Sequence, residues 1–304
     1  MLQSSRRISN IGASMPVITT TEFTVRAYEC DAYGHLNNAH YLRYMQEAAF
    51  EASAAVGYPT DRYVQMGRLW LAHETEIEYL QPLYAGDTVE VRTWVADFRR
   101  VRSLRRYEFR RAGDDTLIAQ ATTDWAYLDS QTGRPVPVPD AVIAAYAGDD
   151  PIEQHPRQTF PVPPPAPPGA FTLHRQVEWR DIDGAHHLNN AAYLNYIEDC
   201  AIHAAAAHSW PMARWQAIGV AMVARSHRIV YHQPALLGED LAITSWLFDA
   251  RRFSAMRHYM IQRTSDDALV AQARTLWVAV STDTHKPVRL PEGMLDDFAG
   301  HVAP

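Results

Sequence analysis

Apolar residues along this chain follow two different periods, and the two succeed each other in a fixed order. From Phe23 to Tyr28 apolar and polar residues alternate, as in a strand with one buried face. After Asp31-Ala32-Tyr33-Gly34, the residues Tyr41, Leu42, Met45, Ala48, Ala49, Ala52 and Val56 recur at three-and-four spacing. That spacing predicts an amphipathic helix, which Gly57 and Pro59 bring to an end. Four strand-like runs follow, Trp70–Leu80, Thr88–Phe98, Ser103–Arg111 and Leu117–Leu128, several of them separated by Gly-Asp or Asp-Asp turn signals. The same order then returns. A run at Leu173–Trp179 precedes a helix around Tyr193–Ala207, and runs follow near Val220–Tyr231, Leu241–Phe248, Ser254–Arg263 and Leu269–Val280. One strand, one long helix and four strands make an α+β layout, an antiparallel sheet packed on a helix.

The return is a duplication. His35-Leu36-Asn37-Asn38-Ala39 recurs as His187-Leu188-Asn189-Asn190-Ala191, an offset of 152 positions. Held without a gap, that offset pairs Asp31 with Asp183, Tyr41 with Tyr193, Tyr44 with Tyr196, Gly86 with Gly238 and Trp125 with Trp277. So long a period fits two copies of one domain and not a solenoid. Pro161-Val162-Pro163-Pro164-Pro165-Ala166-Pro167-Pro168 lies between the copies, and such a stretch favours extended polyproline II. The expected organisation is a loose leader over 1–19, a domain over 20–147, a Pro-rich linker over 148–170 and a second domain over 171–304.

Composition narrows the function. A formal net charge of −7 over 304 residues argues against non-specific nucleic-acid binding, which needs clustered positive charge. Two cysteines, Cys30 and Cys200, are too few for a disulfide scaffold or a cysteine zinc site. The sequence has no long apolar run of membrane-spanning length. These features predict a reduced, cytoplasmic protein.

The densest cluster of polar side chains, Asp31 to Tyr41, falls where the chain enters the first helix. A helix N-terminus offers unpaired amide donors and the positive end of a dipole, and such amides can stabilise a carbonyl oxyanion. An aspartate just upstream suits a general base for water or a nucleophile. The competing reading is that Asp31 and the asparagines cap the helix. His35, His40, His186 and His187 lack the carboxylate-histidine spacing of a known metal site, so no metal is expected.

Asp-x-Tyr-x-His-Leu-Asn-Asn-x-x-Tyr-Leu before a helix closely resembles the hot-dog thioesterases of the 4-hydroxybenzoyl-CoA thioesterase and long-chain acyl-CoA thioesterase type. Tyr79-Leu80-Gln81-Pro82 with Gly86-Asp87, and the ending Asp129 to Pro137, resemble later parts of the same family. The resemblance covers both copies. It implies two tandem hot-dog domains, each an antiparallel sheet wrapped round a long helix, paired as an intramolecular pseudo-dimer, with a homodimer of the tandem chain as a further option. It also implies hydrolysis of an acyl-CoA thioester, with acyl carrier protein as the alternative carrier, and with no cofactor beyond the coenzyme A of the substrate.

Carried over by position, Asp31 and Asp183 are the expected base or nucleophile. The amides following Gly34 and His35, with their counterparts at His186 and His187, are the expected oxyanion donors. Asn37, Asn38, Tyr41, Asn189, Asn190 and Tyr193 are expected to bind substrate. Arg99, Arg100, Arg251 and Arg252 are expected at its phosphates, for which guanidinium groups are suited. Two departures stand out. Plant acyl-ACP thioesterases carry Asp-x-Asn-x-His, whereas positions 33 and 185 here are Tyr33 and Ala185, so acyl-ACP specificity does not follow. His186 replaces Gly34 in the second copy, which predicts a reshaped turn and unequal sites. The rival readings are a hot-dog dehydratase or hydratase, whose signatures are missing from the sequence, and a non-catalytic acyl-CoA-binding protein.

Overall fold

The computed structural model describes residues 17–147 and 155–303 and divides into two compact units, with the division after Gln158. Most of the expected leader, and the start of the expected linker at 148–154, lie outside the described residues.

The first unit contains β1 (Thr19–Thr24), α1 (Asn38–Ala55), α2 (Thr60–Gln65), β2 (Arg68–Tyr79), β3 (Thr88–Arg99), β4 (Arg102–Arg111), β5 (Leu117–Asp129) and α3 (Asp140–Ala147). Its five strands run in the order β1-β3-β4-β5-β2, with every neighbouring pair antiparallel. Leu42, Met45, Ala48, Ala49 and Ala52 form the buried face of α1, which packs on β1 and β3. The alanines leave room for the helix to lie close to the sheet. Alternation along β3 and β4 supplies the opposing surface, from Val89, Val91, Val95, Tyr107 and Phe109.

The second unit repeats the plan with β6 (Phe171–Gln176), α4 (Ala192–Ala207), α5 (Met212–Ala217), β7 (Val220–Tyr231), β8 (Asp240–Phe248), β9 (Ser254–Arg263), β10 (Leu269–Ser281) and α6 (Met294–Asp297). Its strand order is β6-β8-β9-β10-β7, again antiparallel throughout. A five-stranded antiparallel sheet with one long helix on it is the arrangement expected of each copy.

The first strand of each copy differs from expectation. It ends at Thr24 in one unit and Gln176 in the other, and the next residues turn through short 3-10 helices, Ala27–Glu29 and Trp179–Asp181. The Glu29 carboxylate causes the first break by accepting the Arg26 amide at 2.8 Å. The short helices α2, α3, α5 and α6 have too few turns for a period to show. They nonetheless seal the sheets: Val142 and Tyr146 of α3 join Tyr58, Tyr63, Phe98 and Tyr127, while Met294 of α6 and the following Phe298 join Trp210 and Trp215.

The segment expected to be plain linker includes a strong anchor. Asp97, fully buried on β3, takes a two-pronged contact from Arg157 at 2.6 Å for both bonds, and the His155 amide at 2.8 Å. Arg157 also reaches Asp124 on β5 at 3.1 Å. Removing the cation strands the buried Asp97 carboxylate, while Asp124 keeps Arg102 at 3.2 Å, so Arg157→Ala should destabilise the first unit by about 3–5 kcal/mol in urea unfolding. A loss below about 1 kcal/mol would mean that the pairing carries little.

Acid should act on the second unit. Burial drives His227 and His301 down to about 3 and His258, with help from Arg274, to about 4. The unfolded chain protonates these histidines from about pH 6.5 downward while the folded chain resists, so their contribution is complete above that pH and declines toward pH 4. Positions 227 and 258 match Thr75 and Arg106 in the first unit. Hydrogen exchange at pH 5 against pH 7 should therefore show protection lost in β7–β10 before β2–β5. Equal losses in both units would acquit the histidines.

Candidate active site

Each copy builds the same turn in front of its long helix. In the first, the Asp31 amide donates to the His35 carbonyl at 2.8 Å and the Gly34 amide to the Asp31 carbonyl at 3.0 Å. Asp31 Oδ1 accepts the amides of Tyr33 at 2.8 Å and His35 at 3.1 Å. In the second, the Asp183 amide donates to His187 at 3.0 Å, the His186 amide donates to Asp183 at 2.9 Å, and Asp183 Oδ1 accepts the Ala185 amide at 2.9 Å. Short polar side chains that bond the backbone two residues on fold this way without help from neighbours. Both carboxylates are half-buried.

The sequence predicted that His186 would reshape the turn, and the backbone corrects this. Gly34 has φ +79° and His186 has φ +62°, the same left-handed region. His186 pays in strain what Gly34 takes freely, because a Cβ crowds its own backbone there. The difference between the copies is therefore an exposed imidazole at the turn, not a different loop.

Three of the four expected oxyanion donors, the amides of His35, Leu36 and Leu188, are also corrected. The His35 amide is engaged by Asp31 Oδ1, and the Leu36 amide donates to the Leu83 carbonyl at 2.8 Å, as Leu188 does to Ala235 at 2.8 Å. Both lie within a tight turn stitched to the next loop, so their hydrogens are used internally. No acceptor among the described residues takes the amides of Asn38 or Asn190, the residues beside the capping asparagines. Asn38 is the first residue of α1, whereas Asn190 lies just before the N-cap of α4, whose own first amide at Ala192 donates to the Asn189 carbonyl at 2.9 Å.

The asparagines divide their labour. Asn37 caps α1 by accepting the Ala39 amide at 3.0 Å, and Asn189 accepts the Ala191 amide at 2.9 Å while its Nδ2 donates to Asp183 Oδ2 at 3.2 Å. The Asn190 carbonyl accepts the Tyr231 hydroxyl at 3.0 Å. Tyr41 and Tyr193 are core residues, Tyr41 between Tyr79 and Phe109 and Tyr193 against Tyr231. Burial raises both phenols, and the nearby Asp31 adds to the rise at Tyr41. Around Asp31 the His35 ring meets Tyr84 edge-on at 5.3 Å and lies 6.3 Å from Tyr33. The second copy has Ala185 and Leu236 at the positions of Tyr33 and Tyr84, so its turn lacks that aromatic wall.

The arginines do not join the turn within their own unit. Arg99 ends β3, where it donates to the His155 carbonyl at 2.9 Å, whereas the Asp31 turn is stitched to residues 83–87 before that strand begins. Twelve residues of strand separate the two places, on the order of 30 Å or more. Arg251 and Arg252 lie just past the matching end of β8, beside a groove of about 330 Å³ shared with Arg289 and Leu290, where Arg251 pairs with Asp249 at 2.9 Å.

Sequence reasoning missed the brace beneath the turn. Glu29, buried, accepts the Tyr44 hydroxyl at 2.6 Å, and its carbonyl accepts the Asn37 amide at 2.9 Å. Asp181 accepts the Tyr196 hydroxyl at 2.7 Å, and its carbonyl accepts the Asn189 amide at 2.8 Å. Acid at 29 and 181 with tyrosine at 44 and 196 was the available signal. The helical Glu47 is exposed, and its counterpart Asp199 pairs with Arg175.

A family model described as the thioesterase-like superfamily matches residues 25–146 and again 177–298. Oleoyl-acyl carrier protein thioesterase 1 of Arabidopsis thaliana is 25% identical over 193 residues, covering 58% of this chain and 52% of the relative. A Bacillus subtilis protein provisionally assigned as an acyl-CoA thioesterase is 26% identical over 120 residues, covering 39% of this chain and 86% of the relative. The chain spans about half the length of the plant relatives it matches. Among solved structures, a Lactobacillus plantarum protein provisionally assigned as an oleoyl thioesterase superposes with a TM-score of 0.75 at 19% identity, over 91% of this chain and 98% of its own. An acyl-ACP thioesterase of Bacteroides thetaiotaomicron gives 0.67 at 18% identity, over 86% and 97%. At these identities the superpositions establish the hot-dog fold.

Because the two turns share one backbone, exchanging the residue at the left-handed position should be tolerated. A Cβ at Gly34 meets nothing within 4 Å, so Gly34→His should fold and cost about 1–2 kcal/mol, the strain alone. His186→Gly should recover stability of the same order. Thermal unfolding checks both, and a Gly34→His chain that failed to fold would show that the turns are not interchangeable.

Proposed function

Since this chain belongs to the thioesterase-like superfamily, we propose that it hydrolyses an acyl thioester to the free acid and a thiol, using the Asp31 turn and its repeat at Asp183. The observation that carries this reading is the duplicated placement of a half-buried aspartate, its Oδ1 held by amides of its own turn, in front of a long helix. A fixed Oδ1 orients the carboxylate and leaves Oδ2 of Asp31 to take a proton from attacking water, or to attack the carbonyl itself. The developing oxyanion finds the Asn38 amide, and Asn190 serves the same purpose in the second copy. With Asp31 as base, the carbon–sulfur bond then breaks and the leaving thiolate takes the proton that Asp31 removed from water. With Asp31 as nucleophile, the thiolate leaves first and water then hydrolyses the acyl-aspartyl anhydride to the free acid, its proton passing to the thiolate. Glu29 with Tyr44, and Asp181 with Tyr196, hold each turn against its helix.

Acyl-CoA is the proposed substrate, with coenzyme A entering as part of it and no resident cofactor required. Tyr33 and Ala185, in place of the asparagine of plant acyl-ACP enzymes, favour that choice over acyl carrier protein. The division into domains at 20–147 and 171–304, joined by 148–170, belongs to the same proposal and is supported by the two family matches. A reducing, cytoplasmic setting suits its two free cysteines. Among the described residues, no helix is long and apolar enough to cross a membrane.

Converting both aspartates to asparagine keeps their shape and removes the base or nucleophile. Asp31→Asn with Asp183→Asn should lower thiol release from an acyl-CoA by about 10²-fold or more. Of the single variants, Asp31→Asn should lose more, since the exposed His186 imidazole crowds approach to the second turn. Near-normal turnover by a folded double variant would reduce both aspartates to turn formers.

A further inference from the structure

The outer faces of the two sheets, turned away from the long helices, differ at one matched place. In the first unit Trp94, Arg106, Thr122 and Glu76 stand in register across β3, β4, β5 and β2, and they line an open groove of about 270 Å³. The duplication puts Trp246, His258, Arg274 and Arg228 at the same positions, in register across β8, β9, β10 and β7. Here one ring meets three of the four. The Phe160 ring lies 6.1 Å from the His258 ring, with Arg228 and Arg274 guanidinium carbons 5.5 and 5.9 Å from its centroid.

Two ring nitrogens of the row stay unsatisfied beside Phe160 and its neighbour His258. Trp246 and His258, each 1% exposed, lie with ring centroids 4.8 Å apart. Trp246 Nε1 and His258 Nε2 are buried without a hydrogen-bond partner. Native interiors seldom leave two such atoms side by side, because each costs about 1–3 kcal/mol. An apolar ring from the chain can sit between guanidinium groups, but it cannot accept a hydrogen from an indole.

We propose that Trp246, His258, Arg228 and Arg274 form a binding site for a planar aromatic anion, and that Phe160 holds the ring position in this structure as an internal plug. The ring of such a ligand would take the place of Phe160 between the guanidinium groups, which favour aromatic faces and anions alike. Its anionic oxygen would accept from Trp246 Nε1 and meet His258 Nε2. In the first unit Glu76 replaces Arg228 and Thr122 replaces Arg274, so an anion is disfavoured in the open groove. The site is separate from the aspartate turns, and its assignment does not depend on thioester hydrolysis.

Calorimetric titration of the full chain tests the site, with benzoate as a simple aromatic acid and AMP as a nucleotide. Phe160→Ala should tighten binding of at least one probe by about tenfold or more over the unsubstituted chain. Phe160→Leu, which keeps bulk for folding while removing the planar ring, should move the same way. Adding His258→Leu to either variant should abolish the gain. Benzoate alone would identify a compact aromatic acid, AMP alone a nucleotide, and either result supports the site. No binding of either probe by folded Phe160 variants would overturn it, as would binding that survives His258→Leu.

Discussion

The hydrogen bonds that Asp31 makes with the His35 peptide fix where the first helix begins, and Asp183 with His187 does the same for the second. A helix buried on a five-stranded sheet has little freedom to slide, since Leu42, Met45 and Ala49 must meet their places on the sheet. Its start must then be reached by a chain arriving from the edge strand, within a few residues. A left-handed residue and a carboxylate bonded to successive amides accomplish that reversal. The same bonds fix the orientation of the carboxylate ahead of the helix, so the architecture and the proposed chemistry rest on one turn.

The two copies show which parts of that turn tolerate drift. Asp, the His-Leu-Asn-Asn run and the tyrosine one helical turn on are retained, whereas Gly34 has become His186 with the backbone unchanged. The buried acid has shortened from Glu29 to Asp181 and still reaches its tyrosine. Tyr33 and Tyr84 have given way to Ala185 and Leu236. Backbone geometry has been kept while the walls around it diverged, as expected if shape at the carboxylate matters more than the surfaces that meet a substrate.

Much of the fold was legible because its strands alternate and its long helices show a clean three-and-four period. The first strand was misplaced because Thr19-Thr20-Thr21 carries no apolar alternation, although its edge position still buries Thr21 and Phe23 in part. The short helix Asp140–Ala147 has too few turns to announce itself, yet its Tyr146 bonds Ser53 on α1. At the site, the aspartates and capping asparagines could be named from composition and position. Which amides stay open could not, because the answer depends on the Leu83 and Ala235 carbonyls, distant in sequence. The arginine pairs looked like partners of the turn only while the length of β3 was ignored.

Arg157 has a bearing on the order in which the protein is made. The sheet of the first unit is complete in sequence by Asp129, and Asp124 already has Arg102 beside it, but Asp97 remains buried without its cation until Arg157 has been added. On a ribosome the first unit is therefore held in an unfinished state while the next twenty-eight or so residues are synthesised and clear the exit tunnel, a delay on the order of seconds. A nascent chain halted just after Ala147 would carry every strand of that unit and still lack its most deeply buried ion pair. The commitment of the amino-terminal half to its native state is thus timed by a residue that lies beyond its last helix.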